Sequence, residues 1–478
     1  MSQVMSTYRV RVLGCRVNHA ERRELEAVLR SRGLHEATPG MAADLEVVHT
    51  CGVTGRAAAK SRQAIRRASR GQSPRGAVLV TGCLVGINPA EAHALAGPTG
   101  AALGHQVLLP DALGGWIDER IAHSQPRDSA AAAPDTCDTP ATIPLPLTIL
   151  PDAPARHVRA EVRIQDGCDA HCTFCIIPKG RPVLRTKRIS VVLDEVARLV
   201  DLGHPEIVLA GIFLGAYGHE TALRRRQHRP MASPLADLVD AVASTPGLQR
   251  LRLSSLEPGD VTKPLLDAYQ ANARVMAPHL HLPLQSGSDT ILRRMNRQYC
   301  VGEYHDMIDR VTSVLTARGL PPAITTDIIC GFPGESPVDF GQTLAVARSV
   351  GFLHMHVFPF SPRAGTAAAR WTHQAIPPPI AHARVRQLID LETTSGTGLA
   401  DTFRSRLVGR EVRLFAEKPD ARHAGRWTGR CDHYAEVSVP GPRRRGELAR
   451  AIVRGIEDDV LVADPVPADV RLPVLDHC

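Results

Sequence analysis

Three cysteines fall within eight residues, in the segment Cys168-Asp-Ala-His-Cys172-Thr-Phe-Cys175. Thiolates this close on one loop can wrap a single soft metal centre. A structural zinc usually takes four protein ligands, commonly from two paired knuckles. No fourth Cys lies nearby, so a zinc would have to recruit His171 or a remote ligand. A 4Fe–4S cluster held by three Cys leaves one iron open for a small-molecule chelate. The chain has eleven Cys, and its N-terminus lacks the apolar core of a signal peptide. In a reducing compartment clustered Cys are read as ligands or reactive thiols rather than as disulfides.

A second trio, Cys15, Cys51 and Cys83, is spaced by 36 and 32 residues, too widely for a local knuckle. Each ends or follows a strand-like segment. In a parallel sheet the strand ends share one edge, where the three thiols could converge. On spacing alone, buried cysteines at strand ends are more often inert core residues.

The elements that must position these residues follow from the hydrophobic pattern. YRVRVLGC (Tyr8 to Cys15), DLEVVHTC (Asp44 to Cys51) and AVLVTGC (Ala77 to Cys83) read as buried strands. ERRELEAVLRSRG (Glu21 to Gly33) reads as an amphipathic helix ended by Gly. Such alternation implies a parallel α/β sheet over residues 7–120. Residues 121–157, with seven Pro and an AAAA run, read as a linker. Over 158–375, six further strands begin near Glu161, Glu206, Leu251, His279, Ala323 and His354. Each runs into a polar or Gly-containing loop, the edge where ligands gather in parallel barrels. Six βα units suggest a partial (β/α)6 barrel. IPPPI (Ile376 to Ile380) opens a helical connector, 376–402. The tail, 403–465, reads as a small β-domain containing LVGREVRLFAE (Leu407 to Glu417), GRWTGR (Gly425 to Arg430) and DHYAEVSVP (Asp432 to Pro440).

Lys plus Arg exceed Asp plus Glu by 57 − 49 = 8. The excess is uneven: residues 56–75 hold seven basic and no acidic residues, and residues 403–454 hold 13 basic against 6 acidic. Two basic surfaces flanking a near-neutral barrel suit an RNA partner. No apolar run reaches the roughly 18–20 residues of a membrane span. A soluble, cytoplasmic protein is expected.

CxxxCxxC with an aromatic before the last Cys resembles the signature of radical S-adenosylmethionine enzymes. The resemblance implies a six-unit partial barrel whose cluster, on Cys168, Cys172 and Cys175, binds and reductively cleaves S-adenosylmethionine. It places that cofactor near Gly211, Ser255 and Glu257. HLPLQSGSDTILRRMNRQY (His281 to Tyr299), TTDIICGFPGE (Thr325 to Glu335) and HVFPFSPRAGTAA (His356 to Ala368) extend the match. Together with the first trio they resemble the methylthiotransferases, in which Cys15, Cys51 and Cys83 would hold a second 4Fe–4S cluster. LGCRVN and VTGRAAAKSRQAIRRA (Val53 to Ala68) resemble the branch acting on tRNA threonylcarbamoyladenosine. The tail is similar to the TRAM domain, an OB-like barrel of tRNA-modifying enzymes.

The resemblance implies methylthiolation of C2 of N6-threonylcarbamoyladenosine beside the anticodon, with tRNA and a flavodoxin- or ferredoxin-like electron donor as partners. Within the family, isopentenyladenosine and a ribosomal-protein aspartate are alternative substrates. Outside it, a non-catalytic zinc-bearing RNA-binding protein is the rival. Arg62, Arg66, Arg67, Arg426, Arg430, Arg443, Arg444 and Arg445 are expected on RNA, with Trp427 or Tyr434 stacking a base. Three positions depart from the family pattern: His49 where Asn is usual, Lys179-Gly180-Arg181-Pro182 in place of Tyr-x-Arg-Gly, and Gly86 where Gln is frequent.

Overall fold

A computed structural model describes residues 5–71, 76–97, 100–103, 115–118, 143–144, 157–223, 233–441 and 443–466. The linker read over 121–157 lies outside them, apart from residues 143–144 and 157.

The N-terminal sheet comprises β1 (Thr7–Val12), β2 (His35–Glu36), β3 (Leu45–Thr50), β4 (Ala77–Gly82) and β5 (Ala101–Ala102). Its order is β2-β1-β3-β4-β5 and every pairing is parallel. A parallel sheet needs cover on both faces. α1 (Arg16–Ser31) brings Leu25 and Leu29 against Tyr8, Leu45 and Val47. α2 (Gly55–Arg70), α3 (Cys83–Ile87) and α4 (Pro89–Ala96) bring Ile65, Leu84 and Ala92 against Val48, Val78 and Val80 on the other face.

α1 starts at Arg16 rather than at the expected Glu21. The amide of Asn18 donates to Leu13 O at 2.6 Å and to Thr50 O at 3.1 Å, pinning the first turn to two strand ends. Its polar residues carry no apolar period, so the pattern hid that turn.

The central strands are β6 (Ile143–Pro144), β7 (Arg159–Asp166), β8 (Arg185–Thr186), β9 (Glu206–Gly211), β10 (Arg250–Leu253), β11 (His279–His281), β12 (Ala323–Cys330) and β13 (His354–Pro359). They form two sheets, β10-β9-β7-β8-β6 and β11-β12-β13. The parallel bridges Leu251–Met276 and Ser255–His281 join the two sheets. The six expected strands thus run parallel in the order β7-β9-β10-β11-β12-β13, an open barrel. Alternation directs Ala160, Val162, Ile164, Ile207, Leu209, Leu251, Leu253, Leu280 and Leu282 toward the helices in the main core. The residues between them face inward, and many are charged: Arg163, Glu206, Arg250 and Arg252 are buried.

IPPPI gives way to a helix, Pro378–Thr393, with Pro in its first turn, where a missing N–H costs nothing. The tail adds β14 (Glu411–Phe415), β15 (Lys418–Pro419), β16 (Arg426–Arg430), β17 (Glu436–Pro440), β18 (Leu448–Glu457) and β19 (Val460–Pro465). They make one curled sheet, β14-β18-β19-β17-β16-β15, around Val412, Leu414, Val437, Val453 and Leu461. The two expected strands, within Leu407 to Glu417 and Asp432 to Pro440, are β14 and β17; β15, β16 and the long hairpin β18–β19 add four more.

Candidate active site

The first trio sits on the carboxyl edge of the N-terminal sheet. Cys15 is the residue before α1, Cys51 follows β3, and Cys83 opens α3 directly after β4. Gly14 permits the approach: at φ +118° it lies so close that a Cβ there would stand 2.9 Å from Cys51 Cβ and 3.2 Å from its Sγ. Cys51 and Cys83 are buried while Cys15 is exposed.

The second trio lies on the loop after β7. Cys168 is buried, Cys172 and Cys175 partly so, and none of the six cysteines is in a disulfide. The two trios meet at Cys83. Cys83 belongs to the same apolar cluster as Cys168, with Cys172 and Cys175 packed against it.

Burial pushes every buried member of these trios up as a free thiol, Cys83 and Cys175 to about 12. Each set therefore gains from a metal that replaces its protons. Two guanidiniums supply positive charge: Arg297 donates to Cys172 Sγ at 3.1 Å, and Arg181 lies against Cys83. A single tetrahedral zinc would draw its sulfurs to within about 3.8 Å of one another. Among the described residues, only His281, Asp327 and His356 place three potential ligand atoms within 4.8 Å. The cysteine trios are more open than zinc requires, and His171 is exposed with its carbonyl accepting from Asn296. The spread suits a larger inorganic core.

Gly211 ends β9, and Ser255 and Glu257 follow β10, on the same carboxyl edge as the CxxxCxxC loop. Gln165 fixes the loop after Gly211 by accepting from Phe213 N at 2.9 Å. Ser255 is exposed. Glu257 is engaged, its carboxylate 2.5 Å from Arg297 Nη2. Arg297 thus links Glu257 to Cys172, a role that the sequence did not single out.

The expected RNA cations divide. Arg66 and Arg67 are exposed on α2, and Arg444 is exposed in the tail. Others are spent inside the protein. Arg62 pairs with Glu91 at 2.6 Å, and Arg443 with Glu447 at 2.7 Å. Arg426 donates to Ser438 Oγ, Ser438 O and Ala463 O, tying three strands of the tail. Arg430 donates to the Tyr434 carbonyl, and Arg445 to Glu417 O. Several of the tail's basic residues therefore also tie its own strands and loops together. Tyr434 is not a free base-stacking platform. Its ring stacks on His279 of β11, with centroids 4.2 Å apart.

The tail closes one side of the barrel. Arg250 pairs with Glu206 at 2.9 Å and with Asp432, and Arg252 donates to the Cys431 and Asp432 carbonyls. α1 closes another, where Arg163 pairs with Glu21 at 3.1 Å and also with Glu24. A cleft of about 1170 Å³ remains open beside Cys51, lined by Arg56 and Lys60 of α2 and by Phe358, Phe360 and Trp371. Cations alternating with aromatics beside a cysteine trio are suited to admitting a nucleotide.

Comparison with known proteins agrees with this arrangement. Residues 7–104 match the family described as uncharacterized protein family UPF0004, and residues 162–347 match the radical SAM superfamily. The threonylcarbamoyladenosine tRNA methylthiotransferase MtaB of Bacillus subtilis is 33% identical over 444 residues, 91% of each chain. That of Thermotoga maritima is 30% identical, covering 96% of this chain and 97% of its own. The tRNA-2-methylthio-N(6)-dimethylallyladenosine synthase of Mycolicibacterium gilvum is 33% identical, covering 97% and 88%. A solved structure of the radical S-adenosylmethionine methyltransferase TsrM from Kitasatospora setae, with cobalamin and a [4Fe-4S] cluster bound, shares the fold at a TM-score of 0.51 and 12% identity, over 77% of each chain. With two family matches in chain order and relatives similar over nearly its whole length, the chain belongs to the radical S-adenosylmethionine tRNA methylthiotransferase family.

Proposed function

We propose that this enzyme methylthiolates C2 of N6-threonylcarbamoyladenosine in tRNA, using two 4Fe–4S clusters and S-adenosylmethionine. Cys168, Cys172 and Cys175 would hold the cluster that binds S-adenosylmethionine, with Gly211, Ser255 and Glu257 lining the cofactor's place. Cys15, Cys51 and Cys83 would hold the auxiliary cluster. The observation that carries this reading is the packing of Cys83 into the apolar cluster that contains Cys168. Two redox sites that must act on one base need such proximity.

When bound, these groups supply the electron transfer, the radical and the sulfur. The chain's own residues do the rest. Ile177, Leu184, Phe213 and Ala216 exclude water between the trios. Arg181 and Arg297 place positive charge beside Cys83 and Cys172, favouring the thiolate form that a cluster requires. The cleft beside Cys51, with Arg56 and Lys60, would admit the anticodon loop. Arg66, Arg67 and Arg444 would meet its phosphates, and a flavodoxin- or ferredoxin-like protein would deliver electrons.

The choice of base rests on the LGCRVN and KSRQAIRR segments and on the threonylcarbamoyladenosine relatives. The isopentenyl reading keeps the support of the M. gilvum relative at the same 33% identity. Mass spectrometry of tRNA nucleosides from a deletion strain decides between them. Loss of 2-methylthio-N6-threonylcarbamoyladenosine is expected. Unchanged levels of that nucleoside, with loss of the isopentenyl one, would reverse the assignment.

A further inference from the structure

Inside the barrel most guanidiniums have carboxylate partners: Arg159, Arg163, Arg250 and Arg252 all pair with Glu or Asp. Arg16 and Arg430 differ. Among the described residues neither makes an ion pair. Arg16 donates to the Tyr434 hydroxyl at 2.8 Å, joining the N-terminal domain to the tail across the barrel mouth. Arg430 donates to the Tyr434 carbonyl at 3.0 Å. Their guanidinium carbons lie 5.8 and 4.4 Å from the centre of the Tyr434 ring, and that of Arg252 lies 5.2 Å away.

Tyr434 itself is strained. At φ +67° it occupies the left-handed region, which a bulky aromatic seldom adopts. Stacking on His279 and the surrounding cations hold it there. The result is a floor on which the charges of Arg16 and Arg430 have no carboxylate partner among the described residues.

Arg16 is half-buried, keeps most of its N–H donors and has a planar fork matched to a carboxylate. It also immediately follows Cys15. The other groups facing this space are His281, His354, His356 and Asp327. Asp327 lies 3.3 Å from His281, and His354 2.6 Å from Glu392, so each acid there already has a partner.

We propose that Arg16, backed by Tyr434 and Arg430, is the receptor for a carboxylate on the N6 substituent of the target adenosine. The inference rests on the threonylcarbamoyladenosine reading, since that substituent ends in a threonyl carboxylate. Its chemistry fits the position of Arg16. On adenine, C2 and C6 both flank N1, so a group on N6 lies beside C2. A receptor one residue from Cys15 holds the substituent while C2 faces the first cysteine trio. An isopentenyl group carries no charge and would leave the guanidinium desolvated and unpaired, which selects against it.

The test is fluorescence anisotropy on the reconstituted full-length enzyme. The probes are labelled anticodon stem-loops bearing threonylcarbamoyladenosine, its threonyl methyl ester, isopentenyladenosine or unmodified adenosine. Wild type is expected to bind the acid about tenfold or more tighter than the ester, the scale of a desolvated charge pair. Arg16→Gln should bring that ratio to within about twofold, and Arg16→Lys should restore part of it. Both should leave the unmodified stem-loop's affinity unchanged, which reports a folded protein. In turnover, Arg16→Gln should raise KM far more than it lowers kcat. Tyr434→Phe, which removes the anchor but keeps the ring, should weaken acid preference several-fold. A tenfold preference retained in both Arg16→Gln and Tyr434→Phe overturns the receptor while leaving the substrate reading intact. Tighter wild-type binding of the isopentenyl stem-loop overturns both.

Discussion

Arg181 and Glu21 form a two-point ion pair, with Nη1 2.6 Å from Oε1 and Nη2 2.8 Å from Oε2, both side chains fully buried. Glu21 belongs to α1, the helix that starts beside Cys15. Arg181 lies six residues after Cys175. The pair therefore fixes one cysteine trio against the other. Asp166 and Arg163 extend it, and His49 reaches Glu21 Oε2 at 2.7 Å.

Breaking that pair should loosen the join. Burial alone would raise the Glu21 carboxyl, but Arg181, the His49 hydrogen bond and Arg163 outweigh it and hold the group well below its ordinary 4.5. A depressed carboxyl contributes stability that is fully present above about pH 4.5 and lost as pH falls through the lower folded value. Glu21→Gln should cost about 3–5 kcal/mol at neutral pH, because it leaves buried guanidiniums undercompensated. It should also flatten the acid limb of stability against pH. Urea unfolding between pH 3 and 7 checks both; a variant as stable as wild type at neutral pH, with an unchanged acid limb, contradicts them.

This join explains what the sequence concealed. All three departures from the family pattern meet here. His49 and Arg181 share Glu21, and Gly86 touches Gly180 so closely that a Cβ on Gly86 would stand 2.4 Å from its carbonyl oxygen. A Gln at Gly86 could not be accommodated without separating α3, and with it Cys83, from the loop after Cys175. Each departure looked isolated along the chain because the contact spans more than 90 residues. The strands and cysteines were legible, since alternation and strand-end position are local signals. The barrel lining was not. RLRLSSL, HLHLPL and HMHVF alternate basic or His residues with apolar ones, which suggests a solvated face. Here that face is closed over by α1 and the tail, so Arg250 and Arg252 are buried. Arg297 gave no signal, because a lone Arg after a helix carries no period.

Removing one cysteine should separate the two cluster sites. Cys15→Ala leaves the CxxxCxxC loop and its Arg297 contact untouched. After anaerobic reconstitution, wild type should bind about eight iron atoms and the variant about four. S-adenosylmethionine cleavage should persist while methylthio product is lost. Full product formation by the variant would remove Cys15 from the ligand set.

Arg297 should tune the site it touches. Its Nη1 lies 3.1 Å from Cys172 Sγ, and its Nη2 is paired to Glu257. Positive charge and hydrogen bonds to a ligating sulfur stabilise the more reduced state of a cluster. Arg297→Gln should lower that cluster's midpoint potential by roughly 40 mV, about 1 kcal/mol for a one-electron couple. A redox titration followed by electron paramagnetic resonance reads the shift. In Cys15→Ala background, which removes the second signal, an unchanged potential would assign Arg297 a purely structural part.

The arginines of α2 and of the tail should fail in opposite ways. Arg66 and Arg67 are exposed, and neither forms an ion pair among the described residues. Their replacement by Ala should cost no more than about 0.5 kcal/mol of stability, as for ordinary surface positions. Each should weaken tRNA binding similarly across sequences and reduce the salt slope by about one, the mark of one lost phosphate contact. Arg426 instead gives hydrogen bonds to Ser438 Oγ at 2.9 Å, Ser438 O at 2.7 Å and Ala463 O at 3.0 Å. Removing it strands acceptors between β16, β17 and β19. Arg426→Ala should therefore destabilise the fold by about 2–3 kcal/mol. Below its melting transition it should leave the salt slope of tRNA binding unchanged, because no phosphate contact has gone. A fall in slope for Arg426→Ala, or none for the α2 pair, would mean that the RNA lies along the tail after all.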